Sequence, residues 1–250
     1  MERTNPTFLF RHLLSEAPRG TPLSTVWLQE RGLNAKQVAR LGADGWLRRL
    51  GRGLYLLPGD VLNRDASLAQ LVKSVPGLHV AGKTALAWRG IRHNLAFTEH
   101  LILWGDAPAT LPAWFTAAFP ASYQSTQLFD AALPPSTGLA PLPSGHPEVL
   151  VSTPERALLE LLSDVGKGQG LEEARHLLES ARTLRRPVLE ELLAHVQRIK
   201  VARLACHMAE ELGLPWADLA HQHSARLGGG ARWVSTTPAG ERLNLKRPAA

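Results

Sequence analysis

Lys36, Gln37 and Arg40 stand at i, i+1 and i+4, a spacing that brings three long polar side chains to one side of a helix. Together they suit a DNA major groove, where Gln and Arg meet base edges and Lys meets phosphate. Arg48, Arg49 and Arg52 follow on what reads as a strand and a glycine-rich turn, where a basic loop can lie along the adjacent backbone. Upstream, Ser24 and Thr25 open another helix. A hydroxyl there either caps the helix or donates to a phosphate.

Other residues suggest other chemistry. Gly77-Leu-His-Val-Ala-Gly82-Lys83-Thr84 matches the phosphate-binding loop pattern G-x4-G-K-[ST]. A real phosphate cradle needs a strand before it and small residues within it. Here a helix stopped by Pro76 comes first, and Leu78, His79 and Val80 are apolar or bulky. The nearest companion segment, Leu101-Ile-Leu-Trp-Gly-Asp106, places a glycine where a strand should run straight into its acid. The reading is therefore against a nucleotide site.

The ten histidines include Cys206-His207 and His221-Gln-His223, yet no pair has the spacing of a common zinc motif. They are expected to be surface or capping residues, with no metal. Glu172-Glu173, Glu190-Glu191 and Glu210-Glu211 are neighbours in sequence and diverge by about 100° around a helix, so they make poor acid–base pairs. The seven tryptophans are scattered, which suggests core and not a base-stacking platform. No catalytic constellation and no cofactor is implied.

The elements that must position the basic residues read as a helix-turn-helix with a wing. Thr7–Ala17 is amphipathic. Pro22–Glu30 is the next helix, with Val26, Trp27 and Leu28 expected in the core. Asn34 is a good N-cap for the following helix, in which Val38 and Leu41 share the inner face. Trp46–Leu50 and Leu54–Leu57 form the wing around Gly51-Arg52-Gly53.

Further on, His100–Trp104 is the clearest strand, and 131–147, with five prolines, is expected to be a surface loop. Thr153-Pro154-Glu155 is a strong helix start. Three amphipathic helices follow near Leu171–Thr183, Pro187–Val196 and Ile199–Leu212. A short helix near Trp216–Ala220 and a hairpin turning at Thr237-Pro-Ala-Gly240 end the chain. The predicted class is α+β: a winged helix at 1–62, then a larger mixed domain at 63–250. That domain comprises a mixed part (63–130), the proline-rich loop (131–147) and a mainly helical part ending in a hairpin (148–250).

Charge is divided unevenly. Residues 1–64 hold ten Lys or Arg against five Asp or Glu, a net of +5 out of +6 for all 250 residues. Residues 65–197 are at −3 and residues 198–250 at +4. Positive charge concentrated on one small module is the footprint of nucleic-acid binding. No apolar run of about 18 residues occurs, so no membrane helix is expected. The first residues lack an apolar signal core, and a single cysteine allows no internal disulfide. A reducing cytoplasm is the expected compartment.

The order of motifs resembles the AbiEi-type antitoxins of type IV toxin–antitoxin (abortive infection) systems. The segments that carry the likeness are Asp44–Tyr55 (DGWLRRLGRGLY), His79–Leu86 (HVAGKTAL), Val151–Leu162 (VSTPERALLELL) and Arg198–Leu204 (RIKVARL). The resemblance implies a winged helix that binds inverted repeats in its own promoter and represses transcription. It also implies that 63–250 is an antitoxin domain opposing a nucleotidyltransferase-like toxin without a stable complex. A chain monomeric in solution that binds its repeats cooperatively, with no membrane partner, fits this picture.

The resemblance implies Lys36, Gln37 and Arg40 on the second helix and Arg48, Arg49 and Arg52 on the wing as the DNA-reading residues, and the reading of the residues themselves adds Ser24, Thr25 and Asn34 to the DNA-binding set. Arg198, Lys200 and Arg203 are the candidates for antitoxicity or a second basic surface, on what reads as a solvated helix face. The alternatives are a nucleotide-handling enzyme carrying a DNA-binding module, and a winged helix used for protein interaction.

Overall fold

The computed structural model describes residues 13–92, 99–227, 230, 232–236, 242–246 and 248. In chain order its elements begin with β1 (Leu23–Ser24), α1 (Thr25–Glu30), α2 (Ala35–Ala43), β2 (Arg48–Gly51), β3 (Leu54–Leu56) and α3 (Arg64–Val72). Next come β4 (His79–Val80), α4 (Gly82–Trp88), β5 (Leu101–Trp104), α5 (Ala113–Thr116), β6 (Ala121–Gln124), β7 (Leu139–Ala140) and β8 (Leu150–Ser152). The last are α6 (Pro154–Asp164), α7 (Leu171–Ser180), α8 (Arg186–His195), α9 (Ile199–Glu211), α10 (Ala217–Arg226), β9 (Arg232–Thr236) and β10 (Arg242–Lys246). The chain forms two units, one of residues 1–75 with 110–120 and one of 76–109 with 121–250.

The first unit is a winged helix. Its sheet has the order β1-β3-β2, with Leu23 opposite Tyr55 and Arg49 opposite Tyr55 on the other side. Leu13, Ala17, Leu23, Leu28, Leu33, Val38, Leu47 and Leu57 form the core, with Trp27, Leu41 and Tyr55 packed against it. Val38 and Leu41 thus share the inner face of α2, as their spacing requires. The predicted helix Thr7–Ala17 lies partly outside the described residues; 13–16 are helical. A buried aspartate closes this unit. Asp60 accepts from Gly20 N–H at 2.7 Å and pairs with the Arg19 guanidinium.

Two core assignments need correction here. Val26 is 61% exposed and Trp46 is 52% exposed. Val26 follows Thr25 on the outer side of a six-residue helix whose inward position is taken by Leu28, and Trp46 sits in the turn before β2. Pro22–Ser24 is not helical either. Leu23 and Ser24 leave as a short strand because β3 offers them an open edge, a tertiary pairing that no helix propensity outweighs.

The second unit is a mixed sheet with helices. The strand order is β6-β5-β4-β8-β7; β4 runs parallel to β8 and antiparallel to β5, and β5 runs parallel to β6. The helix α6 is its spine. Thr153 is its N-cap residue, Pro154 fills its first turn and Glu155 faces its positive end, which explains why it starts there. Ala157, Leu158, Leu159, Leu161 and Leu162 are all buried, and each such leucine contributes about 1.5–3 kcal/mol.

The proline-rich stretch is not wholly loop, since Leu139 and Ala140 pair with Ser152 and Val151. They do so at the sheet edge, the position to which proline-flanked residues are confined. The final helix α10 is longer than its apolar stripe suggested. It runs to Arg226 and buries Leu219, Ala220 and Ser224. The strands β9 and β10 form the expected hairpin, whose predicted turn at Thr237–Gly240 lies outside the described residues. No helix among the described residues is long and apolar enough to cross a membrane.

Candidate nucleic-acid interface

The second helix of the pair, α2, presents the predicted polar residues, but not all for the same purpose. Asn34 Oδ1 accepts from Gln37 N–H at 2.9 Å, and Gln37 Oε1 accepts from Asn34 N–H at 2.8 Å. This reciprocal capping box satisfies two backbone donors that the first turn would otherwise leave open. Gln37 is accordingly half-buried and committed to the helix start, while Lys36 and Arg40 stand exposed. Arg40 Nε lies 3.5 Å from Asp44 Oδ2 one turn on, both well exposed. Such a pair is worth little in water and yields readily to a phosphate.

The wing follows from backbone geometry at one glycine. Gly53 has φ +67°, and a Cβ on it would lie 3.2 Å from Thr25 Oγ1. Its carbonyl accepts from Thr25 N–H at 2.9 Å, which anchors the turn to the start of α1. A register shift between Arg49 and Gly51 bends β2 toward that turn. Arg48, Arg49 and Arg52 are exposed along β2 and the tip. Arg48 Nη2 donates to Asp60 O at 3.2 Å and Arg49 Nε to Gly51 O at 3.3 Å, so Arg48 is partly steered by the turn that follows β3 and Arg49 by the wing itself. Gly51 also faces Trp114 of α5, with 3.6 Å from its would-be Cβ to Trp114 Cδ1. Ser24 Oγ caps α1 by accepting from Trp27 N–H at 3.1 Å. Ser24 and Thr25 thus shape the entrance to α1 and the base of the wing.

Arg198, Lys200 and Arg203 do not make a basic surface. Lys200 is 8% and Arg203 2% exposed. Lys200 Nζ donates to Ser163 O at 2.6 Å and Val165 O at 2.9 Å, the open carbonyls at the end of α6. It is a helix C-cap made by a cation from another helix. Burial, with Arg198 and Lys167 nearby, pushes its ammonium down to about 8. Arg198 Nη1 donates to Ser163 Oγ at 2.7 Å. Arg203 donates to Leu245 O at 3.2 Å and Gly230 O at 2.5 Å, which ties the terminal hairpin to α9.

The phosphate-loop match is likewise structural. Gly82 N–H, the amide that would hold phosphate, donates at 3.1 Å to Glu160 Oε2 of α6. The same carboxylate, fully buried, accepts from Ser152 Oγ at 2.8 Å and Arg156 Nε at 2.9 Å and contacts His79 Nε2 at 3.1 Å. Burial pushes Glu160 up, but these partners, His79 foremost, hold it below its ordinary value. Lys83 Nζ lies 3.5 Å from Glu173 Oε1, and Thr84 Oγ1 donates to His100 O and accepts from Ile102 N–H. Each group of the motif is already engaged within the chain.

A cavity of about 500 Å³ opens beside this network, lined by His79, Trp104, Asp106, Phe129, Asp130 and Arg156 among others. Three of its ionisable walls are paired internally: His79 and Arg156 to Glu160, and Asp130 to His195 Nδ1 at 2.8 Å.

Helix, turn, second helix and wing, with cations exposed on the last two, define the winged-helix class. Two family models divide the chain between them. "Transcriptional regulator, AbiEi antitoxin N-terminal domain" matches residues 8–97, and "Transcriptional regulator, AbiEi antitoxin, Type IV TA system" matches residues 98–244. The chain belongs to the AbiEi antitoxin family of transcriptional regulators of type IV toxin–antitoxin systems. Among solved structures, the RV2827C protein from Mycobacterium tuberculosis shares the fold with a TM-score of 0.62 at 16% identity, over 92% of this chain and 87% of that one. No curated protein matched the chain.

Proposed function

We propose that this chain binds inverted repeats in its own promoter, represses transcription there, and counteracts a nucleotidyltransferase-like toxin without forming a stable complex with it. The observation that carries the DNA-binding part is the exposure of Lys36 and Arg40 on α2 beside an arginine-bearing wing. In this reading α2 enters the major groove, with Lys36 and Arg40 reaching base edges and phosphates. Arg48, Arg49 and Arg52 hold the flanking backbone, and the hydroxyls of Ser24 and Thr25 face a phosphate at the start of α1. Asn34 and Gln37 set the helix start that aims the others.

The family supports the regulator and antitoxin roles. The nucleotide-enzyme alternative loses ground because Gly82, Lys83 and Thr84 are bonded within the chain. Promoter DNA from the region upstream of its own gene, carrying the repeats, tests the reading in a mobility-shift assay. The expected result is a discrete complex that survives excess unrelated DNA and weakens steeply with salt. Equal competition by unrelated DNA would contradict it.

A further inference from the structure

We propose that Cys206 and Glu210 of α9 and His221 of α10 form a binding site for a borderline transition-metal ion of the zinc class, with its fourth position open to solvent or an external ligand. Cys206 and Glu210 are one helical turn apart and share a face. His221 reaches them from α10. The three ligand atoms lie within 4.8 Å of one another, and among the described residues this is the one group of three such side chains to converge so closely.

The donor chemistry selects the ion. One sulfur, one imidazole nitrogen and one carboxylate oxygen suit zinc-like ions, whereas magnesium and calcium take oxygen alone. The geometry needs little change. Bonds of about 2.0–2.3 Å around a tetrahedral ion put ligand atoms roughly 3.3–3.6 Å apart. Cys206 Sγ already lies 3.4 Å from Glu210 Oε1. His221 Nδ1 lies 2.7 Å from the same oxygen, and to admit an ion this hydrogen bond must open by about 0.6 Å while the ring takes the tautomer with its proton on Nε2, which frees the Nδ1 lone pair. The Glu210 and His221 side chains are 48% and 40% exposed and can turn that far.

Depth is graded across the cluster. Cys206 is buried while its two partners sit at the rim, so an ion held by all three keeps one face toward water. Three protein ligands with an open fourth position is the arrangement of an accessible site and not of a closed structural one. Burial, then the Glu210 carboxylate, pushes the Cys206 thiol up to about 12, which removes it as a free nucleophile at neutral pH. Coordination remains open to it, because a bound cation displaces the thiol proton to solvent as the metal–sulfur bond forms.

Cobalt(II) added to the full-length protein is the probe, because a cobalt–thiolate bond absorbs strongly in the near ultraviolet. The expected result is a charge-transfer band that saturates at one ion per chain and is abolished by zinc competition. Cys206→Ser should remove the band. His221→Ala and Glu210→Gln, changed at half-exposed positions and folded by circular dichroism, should each weaken affinity about tenfold or more. No band in the wild-type protein, a full band in Cys206→Ser, or unchanged affinity in both rim variants would overturn the proposal.

Discussion

Asn34 and Gln37 are bonded to each other twice, each side-chain oxygen accepting the other residue's backbone N–H at 2.8–2.9 Å. The pair fixes where α2 begins, and so which residues of that helix face outward. Lys36 and Arg40 are exposed because Val38 and Leu41 must pack inward from that start point.

Asn34→Ala should therefore cost about 1 kcal/mol of stability in the first unit, the usual loss for an N-cap. Gln37→Ala should cost less, and the double variant should lose less than the sum, because either change already opens the box. Urea denaturation of the four proteins checks this. Strict additivity would show that the two contacts act independently.

Glu160 should be the least replaceable side chain of the second unit. Glu160→Ala leaves Arg156, His79, Gly82 N–H and Ser152 without their common partner. Breaking a buried pair in this way costs about 3–5 kcal/mol. A large fall in thermal midpoint is expected, and a loss under about 1 kcal/mol would show that the carboxylate is dispensable.

The Glu155–Arg185 pair predicts a pH dependence. Burial pushes the Glu155 carboxyl up, but Arg185, through its guanidinium and its backbone N–H, more than reverses this and holds it at about 2 against an ordinary 4.5. A carboxyl depressed in the folded state stabilises fully above its unfolded value and loses that contribution as pH falls toward its folded value. The stability difference between wild type and Arg185→Ala should thus be full at pH 7 and shrink between about pH 4.5 and pH 2. A constant difference across that range would remove the ion pair as its cause.

Lys200 offers a contrast, as a cation whose removal should damage the fold. Lys200→Met strips Ser163 O and Val165 O of their donor, a loss of about 1–3 kcal/mol. Because its folded value, about 8, lies below the ordinary 10.5, the unfolded chain binds the proton more tightly between those values. The wild type should then gain stability relative to Lys200→Met as pH rises from about 8 toward 10.5. An unchanged urea midpoint at every pH would contradict the capping role.

These residues also show what the sequence could and could not reveal. The start of α2, the glycine turn of the wing and the Thr153-Pro154-Glu155 start of α6 were legible because each depends on neighbours a few residues away. The short strands β1, β4 and β7 were not, since their residues become strands only by pairing with partners far along the chain. Lys200 and Arg203 looked like surface cations because helical spacing says nothing of carbonyls 27 to 42 residues distant. The likeness of His79–Leu86 and Val151–Leu162 to one family was visible, but not that Glu160, in the second segment, holds Gly82, in the first. The gathering of Cys206, Glu210 and His221 was hidden for the same reason: it belongs to the contact between α9 and α10.

The central claim is that Lys36, Arg40 and the wing arginines hold the promoter. Fluorescence anisotropy with labelled promoter DNA, comparing wild type with Arg40→Glu, Arg52→Glu and the double variant over a range of salt, tests it most directly. Each exposed reversal should lower the thermal midpoint only slightly, since Arg40→Glu merely exchanges an exposed i, i+4 pair with Asp44 for a like-charge one. Each should also weaken specific binding at least tenfold and flatten the salt dependence by about one unit of slope per lost phosphate contact. Wild-type affinity and an unaltered salt slope in the folded double variant would contradict the account.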